Sequence, residues 1–334
     1  MVTMADVARV AGVSAKTVSN VVNGYEHVSG RTRARVERAI QELGYEVNAA
    51  ARTLRSGRTG LIGLVVPELA QPYFAQLADE VLAAAATRGL KVLIEPTAFR
   101  RENELAALQG ARRRIVDGLL FSPVGMEQDD AAHLEVDVPL VLLGEQLFSP
   151  AVDHVTMRNV EGARAATDLL LDAGRRRIVV LGAPHENARG TSKVRFEGYR
   201  AALEARGIAV DPALVAWTDE GWHRANGARA LADVLDAGAR PDGVVAFNDA
   251  LALGAVHELR SRGLRVPVDV AVVGFDDTED ARYAVPGLTT IDPGRQEIAR
   301  VAVDLLCDRI EGRGPARPVL HRAAMRVVRR ETAP

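Results

Sequence analysis

The chain has 334 residues, of which 48% are hydrophobic and 26% charged, and its formal net charge is −2; these values are typical of a protein with two or three globular domains. Its single cysteine, Cys307, excludes a disulfide framework within the chain and argues against a cysteine-based zinc site, so we interpret it as a buried apolar residue on a helix. No apolar run reaches the roughly 18 residues of a membrane span, and Asp6 and Arg9 lie where a signal peptide would be apolar, so we expect a cytoplasmic protein.

Residues 1–46 predict three short helices. The residues that can start or stop them are Thr3, Asp6, Gly12, Ser14, Asn23, Gly24, Ser29 and Gly44. Thr3 and Asp6 have the spacing of a capping box. Gly12 permits a left-handed turn, and Ser14 can cap a second helix at 15–22. The residues expected on the inward faces are Val7, Val10, Ala11, Val18, Val21, Val22, Val36, Ala39, Ile40 and Leu43.

Two short helices joined by a tight turn and supported by a third form a helix-turn-helix. Its turn needs a small residue, a glycine and an apolar residue, and Ala8, Gly12 and Val13 occupy these positions. Residues 1–58 carry a net charge of +4 and the rest of the chain −6. A basic segment suits phosphate contact, although a solvated helix face would give the same charge. We therefore predict a DNA-binding domain over 1–46, rather than a plain three-helix packing unit.

Residues 47–60 are predicted to form a linker with helical potential. Three alanines at 49–51 and Leu54 favour a helix, which Ser56 and Gly57 then interrupt. Too few apolar residues are present for this helix to be stable in isolation.

From residue 61 onward, short apolar runs alternate with amphipathic helical stretches. The apolar runs are 61–66, 92–94, 119–121, 140–143, 178–181, 244–247 and 270–273, and the clearest helical stretches are 73–87, 163–171, 195–205 and 250–260. Near-continuous apolar strands separated by helices indicate parallel sheets covered on both faces. We therefore predict an α/β fold with a two-lobed core over 61–334 and a crossing near 156–161. Ligands of such folds bind at the carboxyl ends of strands, here in a cleft between lobes.

A set of motifs runs from the N-terminus to the last third of the chain: Met4-Ala5-Asp6-Val7-Ala8, Gly12-Val13-Ser14, Thr17-Val18-Ser19, Val21-Val22-Asn23-Gly24, His27-Val28-Ser29, Leu43-Gly44-Tyr45, Asn48, Ala51-Arg52, Leu54, Phe247-Asn248-Asp249, Gly274-Phe275-Asp276-Asp277 and Leu288-Thr289-Thr290-Ile291. Together they resemble the lac repressor (LacI/GalR) family of transcriptional regulators over essentially the whole chain. The resemblance implies a homodimer that binds a pseudo-palindromic operator, with a periplasmic-binding-protein-like core that senses a small effector.

The first residues of the second helix are expected to enter the major groove of DNA. Lys16 can donate to guanine, Asn20 can pair with adenine, and Ala15 offers an apolar contact. The resemblance implies that these three positions choose the bases. The hydroxyls of Thr17 and Ser19 suit phosphates, which set the register without reading sequence; solvation of a helix face is the alternative.

The resemblance also places His27 and Thr32 near the DNA backbone, with an exposed loop position as the alternative for His27. It implies that Ala51 and Leu54 belong to a hinge helix that forms on DNA, where Leu54 wedges into a minor-groove base step. The alternative for Leu54 is a core position on a short helix. Val47 stands where the family usually has proline, which leaves the start of the hinge helix less sharply defined.

Seven residues are the candidate effector contacts: Tyr73, Phe74, Ser122, Arg195, Trp222, Asn248 and Asp276. Asn248 and Asp276 follow apolar strands, and their amide and carboxylate groups can bind sugar hydroxyls. By resemblance, Arg195 presents a fork of donors and Trp222 an aromatic face for a pyranose ring. The alternatives are a turn cap for Asp276, a helix ion pair for Arg195 and a core position for Phe74.

These features predict a repressor of carbohydrate-utilisation genes whose operator affinity is controlled allosterically by a sugar-like effector. A purine or another small metabolite is the alternative effector. Arg295 stands where the resemblance implies an aromatic wall, so the pocket there is expected to be more polar or blocked.

Two other classes of protein share the core pattern. An enzyme is disfavoured because residues 60–63 lack the dinucleotide-binding fingerprint, no nucleophilic set stands out and the seven histidines show no metal spacing; we expect no cofactor and no metal. A secreted sugar-binding protein should carry a signal peptide and lack the helix-turn-helix.

No leucine heptad follows Arg330, so we expect a nucleoid-associated dimer rather than a tetramer.

Overall fold

The computed structural model describes residues 2–22, 25, 27–45, 58–110, 115–184, 190–218 and 221–334. The chain divides into two compact units, Met1–Thr59 and Gly60–Pro334. The residues of our predictions that lie outside the described part are Asn23, Gly24, Val47, Asn48, Ala49, Ala50, Ala51, Arg52, Leu54, Ser56 and Gly57. Within the described part, no helix combines the length and the apolar character that a membrane crossing requires.

The N-terminal unit contains three helices around a small apolar core. They are α1 (Met4–Ala11), α2 (Ala15–Val22) and α3 (Gly30–Leu43). The predicted capping box of Thr3 and Asp6 is present, and Ser14 Oγ accepts a hydrogen bond from the Thr17 backbone N–H at 3.1 Å. These caps satisfy N–H groups that the first turn of a helix leaves without partners.

The core of this unit differs from the prediction at one position. Val7 and Ala11 of α1 are buried, as is Ala8, but Val10 is 41% exposed. With 3.6 residues per turn, position 10 falls on the opposite side of α1 from position 8, so Val10 faces away from α2 and α3.

The turn between α1 and α2 is held by Arg35 of α3, which sequence reasoning missed. Arg35 Nε donates to the Ala11 carbonyl at 3.1 Å, and Arg35 Nη2 donates to the Gly12 carbonyl at 2.9 Å. The last carbonyls of a helix have no partner within it, and a cation there also opposes the negative end of the helix dipole. Gly12 has φ +62°, and a Cβ at this position would lie 2.8 Å from Arg35 Nη2; both facts favour glycine.

The first lobe of the C-terminal unit begins with alternating strands and helices. These are β1 (Leu61–Val66), α4 (Pro72–Thr87), β2 (Lys91–Pro96), α5 (Arg101–Gln109), β3 (Gly118–Phe121), a 3-10 helix (Gln128–Leu134), β4 (Leu140–Leu143) and β5 (Asp153–Thr156).

The second lobe continues the same alternation. Its elements are α6 (Asn159–Asp172), β6 (Ile178–Ala183), α7 (Thr191–Glu204), a 3-10 helix (Pro212–Leu214), β7 (Val215–Trp217), α8 (Arg224–Asp236), β8 (Gly243–Ala246), α9 (Asp249–Ser261), β9 (Ala271–Val273), α10 (Glu279–Tyr283) and β10 (Thr290–Asp292). The chain then adds α11 (Arg295–Ile310), β11 (Leu320–Arg322) and β12 (Arg326–Val328).

The predicted α/β fold with two parallel sheets is confirmed. The first sheet has six parallel strands in the order β11–β5–β4–β3–β1–β2, and the second has four in the order β7–β6–β8–β9. The seven predicted strands are all present. Helices cover both faces of the sheets, which explains why the strands read as continuous apolar runs.

The chain crosses between the lobes three times. The predicted crossing lies between Thr156, the last residue of β5, and Asn159, the first of α6. After β10 the chain returns to the first lobe, where Ile298 and Leu306 of α11 pack into the first core. Between β11 and β12 it crosses again, because β11 pairs with β5 whereas β12 pairs antiparallel with β10.

A test of the turn clamp is to replace Arg35 by methionine. Loss of charged hydrogen bonds to two backbone carbonyls should destabilise α1 and α2 by about 1.5–3 kcal/mol, so amide exchange in residues 2–22 should accelerate by roughly tenfold or more. Hydrogen–deuterium exchange of the full chain measures this. Arg38→Met, at an exposed position of the same helix, is the matched control; equal protection in both variants would contradict the clamp.

Candidate functional site

The start of α2 is the candidate DNA-reading surface of the N-terminal unit. Ala15 and Lys16 are exposed and Asn20 is half-buried. Val18 and Val21 pack into the apolar core of the unit, so the side of α2 that carries Lys16 faces away from that core.

Two of the predicted phosphate contacts belong to helix caps. The Thr17 hydroxyl lies 2.9 Å from Ser14 Oγ, and the Thr32 hydroxyl lies 2.9 Å from Ser29 Oγ. A hydroxyl has one proton and two lone pairs, so each of these threonines retains capacity for a further hydrogen bond.

The remaining predicted DNA contacts are described in part. Ser19 is half-buried, and His27 is exposed, with its ring centroid 5.5 Å from that of Tyr25. Ala51 and Leu54 lie outside the described residues, so their hinge-helix role stays a prediction.

A cavity of about 550 Å³ lies between the two lobes of the C-terminal unit. Its place follows from the strand order: the connections that follow β1 and β3 leave in opposite directions, as do those that follow β6 and β8, which opens a crevice at the carboxyl ends of these strands. Six of the seven predicted effector contacts line the cavity, namely Tyr73, Phe74, Ser122, Arg195, Trp222 and Asp276.

Arg195 of α7 lies in the wall of the cavity and is 2% exposed. Its Nε donates to Asn159 Oδ1 at 2.7 Å, Nη1 donates to the Phe247 carbonyl, and Nη2 donates to Met157 Sδ at 3.4 Å. The guanidinium stacks 3.5 Å from the ring centroid of Phe275. The sequence led us to expect a fork of donors open to the effector; instead, each of the three nitrogens already donates to the protein.

Asp276 faces Arg195 across the same wall. Its Oδ1 lies 3.7 Å from Arg195 Nη2, and burial raises the pKa of Asp276, which the positive charge of Arg195 opposes. Asp276 and Asp277 have φ +117° and +47°, a backbone region that is strained for residues other than glycine. The Asp276 N–H donates to the Ile291 carbonyl at 2.8 Å, which ties this strained turn to β10.

Asn248 does not line the cavity, in contrast to our expectation. Its Oδ1 accepts a hydrogen bond from the Leu251 N–H at 2.8 Å and caps α9, and its Nδ2 donates to the Trp222 carbonyl at 2.9 Å. A residue that follows a strand can serve as the N-cap of the next helix, and this use consumes the amide. Asn248 therefore positions Trp222 rather than presenting its own side chain.

Arg295 is also placed outside the cavity lining. Its Nη1 donates to the Asp276 carbonyl at 3.0 Å. The residue thus supports the strained turn at Asp276 and does not block the cavity.

Glu145 is a cavity residue that sequence reasoning missed. It lines the cavity two residues after β4, and its Oε1 accepts hydrogen bonds from Asn159 Nδ2 at 3.0 Å and from the Met157 N–H at 3.3 Å. Burial raises the pKa of Glu145, while these two hydrogen bonds and the charge of Arg195 lower it. The signal was available, because Glu145 follows a predicted strand just as Asp276 does.

Two cavity threonines carry unsatisfied hydroxyls. The Oγ1 atoms of Thr156, at the end of β5, and of Thr218, after β7, are buried and have no hydrogen-bond partner among the described residues. A buried hydroxyl without a partner costs free energy. These two atoms therefore mark places where a ligand hydroxyl would be bound favourably.

Phe99 adds an aromatic wall that the sequence did not indicate. Ala98 and Phe99 have φ +56° and +60°, and Asn103 Nδ2 donates to the Thr97 carbonyl at 2.9 Å. This strained turn directs the chain so that Phe99 lines the cavity. Consecutive positive φ values in residues other than glycine are set by tertiary contacts, so no local pattern reveals them.

Comparison with known proteins covers both units. A model of bacterial regulatory proteins, lacI family, matches residues 3–48, and a periplasmic binding protein-like domain matches 167–333. The HTH-type transcriptional regulator CelR of Thermobifida fusca is 37% identical over 320 residues, which cover 93% of this chain and 92% of that protein.

Among the solved structures that match over nearly the full length are two regulators with bound ligands. The transcriptional regulator CelR–cellobiose complex is 33% identical with a TM-score of 0.73, and the match covers 99% of this chain and 100% of that one. The lac repressor dimer bound to operator and the anti-inducer ONPF is 29% identical with a TM-score of 0.85, and the match covers 99% of each chain.

The two roles of Asn248 can be separated by substitution. Asn248→Asp retains the acceptor that caps α9 but loses the donor to the Trp222 carbonyl, whereas Asn248→Ala loses both. We expect faster amide exchange at 221–227 in both variants and faster exchange at 249–261 in the alanine variant alone, where loss of the cap costs about 1 kcal/mol. Unchanged exchange at 221–227 would show that Asn248 does not hold Trp222.

Proposed function

The chain belongs to the lacI family of bacterial regulatory proteins, and from this premise we propose a repressor of carbohydrate-utilisation genes whose operator affinity is set by a small sugar bound between the lobes. The observation that carries the proposal is the composition of the cavity. Aromatic faces of Trp222, Phe74 and Tyr73 share it with hydroxyl and carboxyl groups, which is the combination that a pyranose ring requires. Its volume of about 550 Å³ lies within the roughly 300–1,000 Å³ range of small-molecule sites.

The DNA half of the proposal rests on the exposed start of α2. Lys16 and Asn20 carry the donors and acceptors that read guanine and adenine in the major groove. Thr17, Ser19, His27 and Thr32 are proposed to contact the DNA backbone, and Ala51 and Leu54 to belong to a hinge helix. We propose that the protein acts in the cytoplasm, on the nucleoid, because its DNA target lies there.

The effector half rests on the wall residues. We propose that Tyr73, Phe74, Ser122, Trp222 and Asp276 touch the sugar. Arg195, which lies in the cavity wall, acts by orienting Asp276 and the aromatic rings. Because the CelR relative has been solved with cellobiose, cellobiose is the first ligand to test.

Control of DNA binding requires that the effector favour one arrangement of the lobes. Thr156, Glu145 and Phe74 line the cavity from the first lobe, and Arg195 and Thr218 from the second. A ligand that contacts both sets changes the free energy of lobe closure, and typical couplings of this kind are about 1–3 kcal/mol.

We propose that the active form is a homodimer on a pseudo-palindromic operator. A twofold protein places two α2 helices on half-sites related by the same symmetry. Light scattering of the purified chain of 35.8 kDa should give a mass near twice that value, and a tetramer would contradict the proposal.

The effector can be identified with tryptophan fluorescence and thermal shift. The chain has two tryptophans, and only Trp222 lines the cavity, so Trp217→Phe leaves Trp222 as the sole reporter. We expect cellobiose or another neutral sugar of a mono- and disaccharide panel to raise the melting temperature and change Trp222 emission, because binding to the folded state alone stabilises it.

In the same assay, Trp222→Leu should lower the affinity for the sugar by about tenfold or more, because stacking on the indole ring is lost. Trp217→Phe should leave that affinity unchanged. Purine bases and nucleosides form the second panel. If purines raise the melting temperature and no sugar does, the effector is a purine and the proposed sugar is wrong.

Base reading can be tested with a gel shift on the upstream region of the gene itself. Lys16→Ala should weaken the free energy of binding to the preferred operator by about 1–3 kcal/mol, and should have little effect on binding to operators altered at the contacted base. An equal loss of affinity for every sequence, including scrambled DNA, would identify a phosphate contact instead. Adding the effector identified in the thermal-shift assay shows whether it releases the operator or promotes binding. An inducer lowers the fraction of DNA that is bound, and a co-repressor raises it.

A further inference from the structure

We propose that the cavity selects its ligand by charge, accepting uncharged polyhydroxylated molecules and rejecting their anionic counterparts, and that the carboxylate of Glu145 is the main discriminating group. The inference rests on the proposed sugar-binding function and narrows it. Sugars reach a cell both as neutral molecules and as phosphates or acids, so the distinction decides which metabolites the protein senses.

The first step is the charge of the lining. Among the described residues that line the cavity, the ionisable carboxylates are Glu145 and Asp276, and the one cation is Arg195. The described lining therefore holds more negative than positive charge when both carboxyls are ionised.

The second step is that the cation is already engaged. Arg195 donates from Nε to Asn159 Oδ1, from Nη1 to the Phe247 carbonyl and from Nη2 to Met157 Sδ, and Asp276 lies 3.7 Å from Nη2. Arginine has five N–H groups, and three of those of Arg195 already donate to the protein, while the carboxylate of Asp276 lies beside Nη2. The positive charge of Arg195 is therefore already partly compensated within the protein.

The third step concerns Glu145. Its two described hydrogen bonds, from the Met157 N–H and from Asn159 Nδ2, both end on Oε1, and Oε2 accepts none from the described residues. Burial raises the pKa of Glu145 and of Asp276, because this wall solvates a negative charge poorly. A ligand anion would meet the same desolvation cost, and repulsion from each carboxyl that is ionised would add to it.

The fourth step explains why a neutral polyol is accepted. The hydroxyls of Thr156 and Thr218 are buried without partners among the described residues, and Ser122, Thr191 and Ser192 also line the cavity. Hydroxyl groups of a ligand can both donate to a carboxylate and pair with these hydroxyls, so a sugar satisfies both kinds of group without bringing charge.

The experiment compares neutral and anionic members of matched pairs by isothermal titration calorimetry on the full-length protein. The pairs are cellobiose with cellobionate, and glucose with glucuronate and with glucose 6-phosphate. In the pair whose neutral member binds, we expect that neutral sugar to have an affinity about tenfold or more higher than that of its anionic counterpart. An anion that binds as tightly as its neutral partner would overturn the inference while leaving the sugar-binding function intact.

The role of Glu145 is tested by Glu145→Gln, which keeps the shape and the Oε1 acceptor but removes the charge. The ratio of neutral to anionic affinity should fall by about tenfold; a ratio equal to that of the unaltered protein would show that Glu145 is not the discriminating group. Glu204→Gln, at an exposed position at the end of α7, is the matched control and should keep the original ratio. Failure of every sugar in both sets to bind would overturn the proposed function and this inference with it.

Discussion

The buried guanidinium of Arg195 is the interaction on which the organisation of the core depends. A charge removed from water is tolerated only when hydrogen bonds and nearby charges compensate it, and Arg195 finds this compensation in Asn159, the Phe247 carbonyl and Asp276. The same contacts tie the start of α6, the end of β8 and the turn after β9 to α7. Four elements of the second lobe thereby converge on one side chain, and the wall of the cavity is built from their ends.

The network extends from this point into the first lobe. Asn159, which accepts from Arg195, donates to Glu145 at 3.0 Å, and Glu145 follows β4 of the first sheet. The chain passes between the lobes next to these residues, between Thr156 and Asn159. The hydrogen bonding of Glu145 is therefore linked through Asn159 to the segment that joins the lobes, so a ligand that changes it would act directly on that segment.

Sequence reasoning located most of the fold and missed a definable part of it. The predicted strands were those with continuous apolar runs. The five that were missed, β5, β7, β10, β11 and β12, are short or carry polar residues. Strand β5 is buried along its whole length although it begins with Asp153, because Arg309 of α11 pairs with that carboxylate at 2.6 Å and 2.9 Å. The partner is 156 residues away in the chain, so no local window could have revealed that an aspartate belongs inside a sheet.

The sequence by itself determined the helix-turn-helix, the alternation of strands and helices, and six of the residues that line the cavity, because caps, apolar periodicity and strand ends are local properties of the chain. Only the tertiary structure decided how those residues are used. In the folded chain, Asn248 caps α9 and donates to the Trp222 carbonyl, and each nitrogen of Arg195 donates to a protein group. Phe99 and Glu145 line the cavity, although the sequence did not indicate either of them. The reason is that a side chain has a limited number of donors and acceptors, and which of them remain for a ligand depends on neighbours that are distant in sequence.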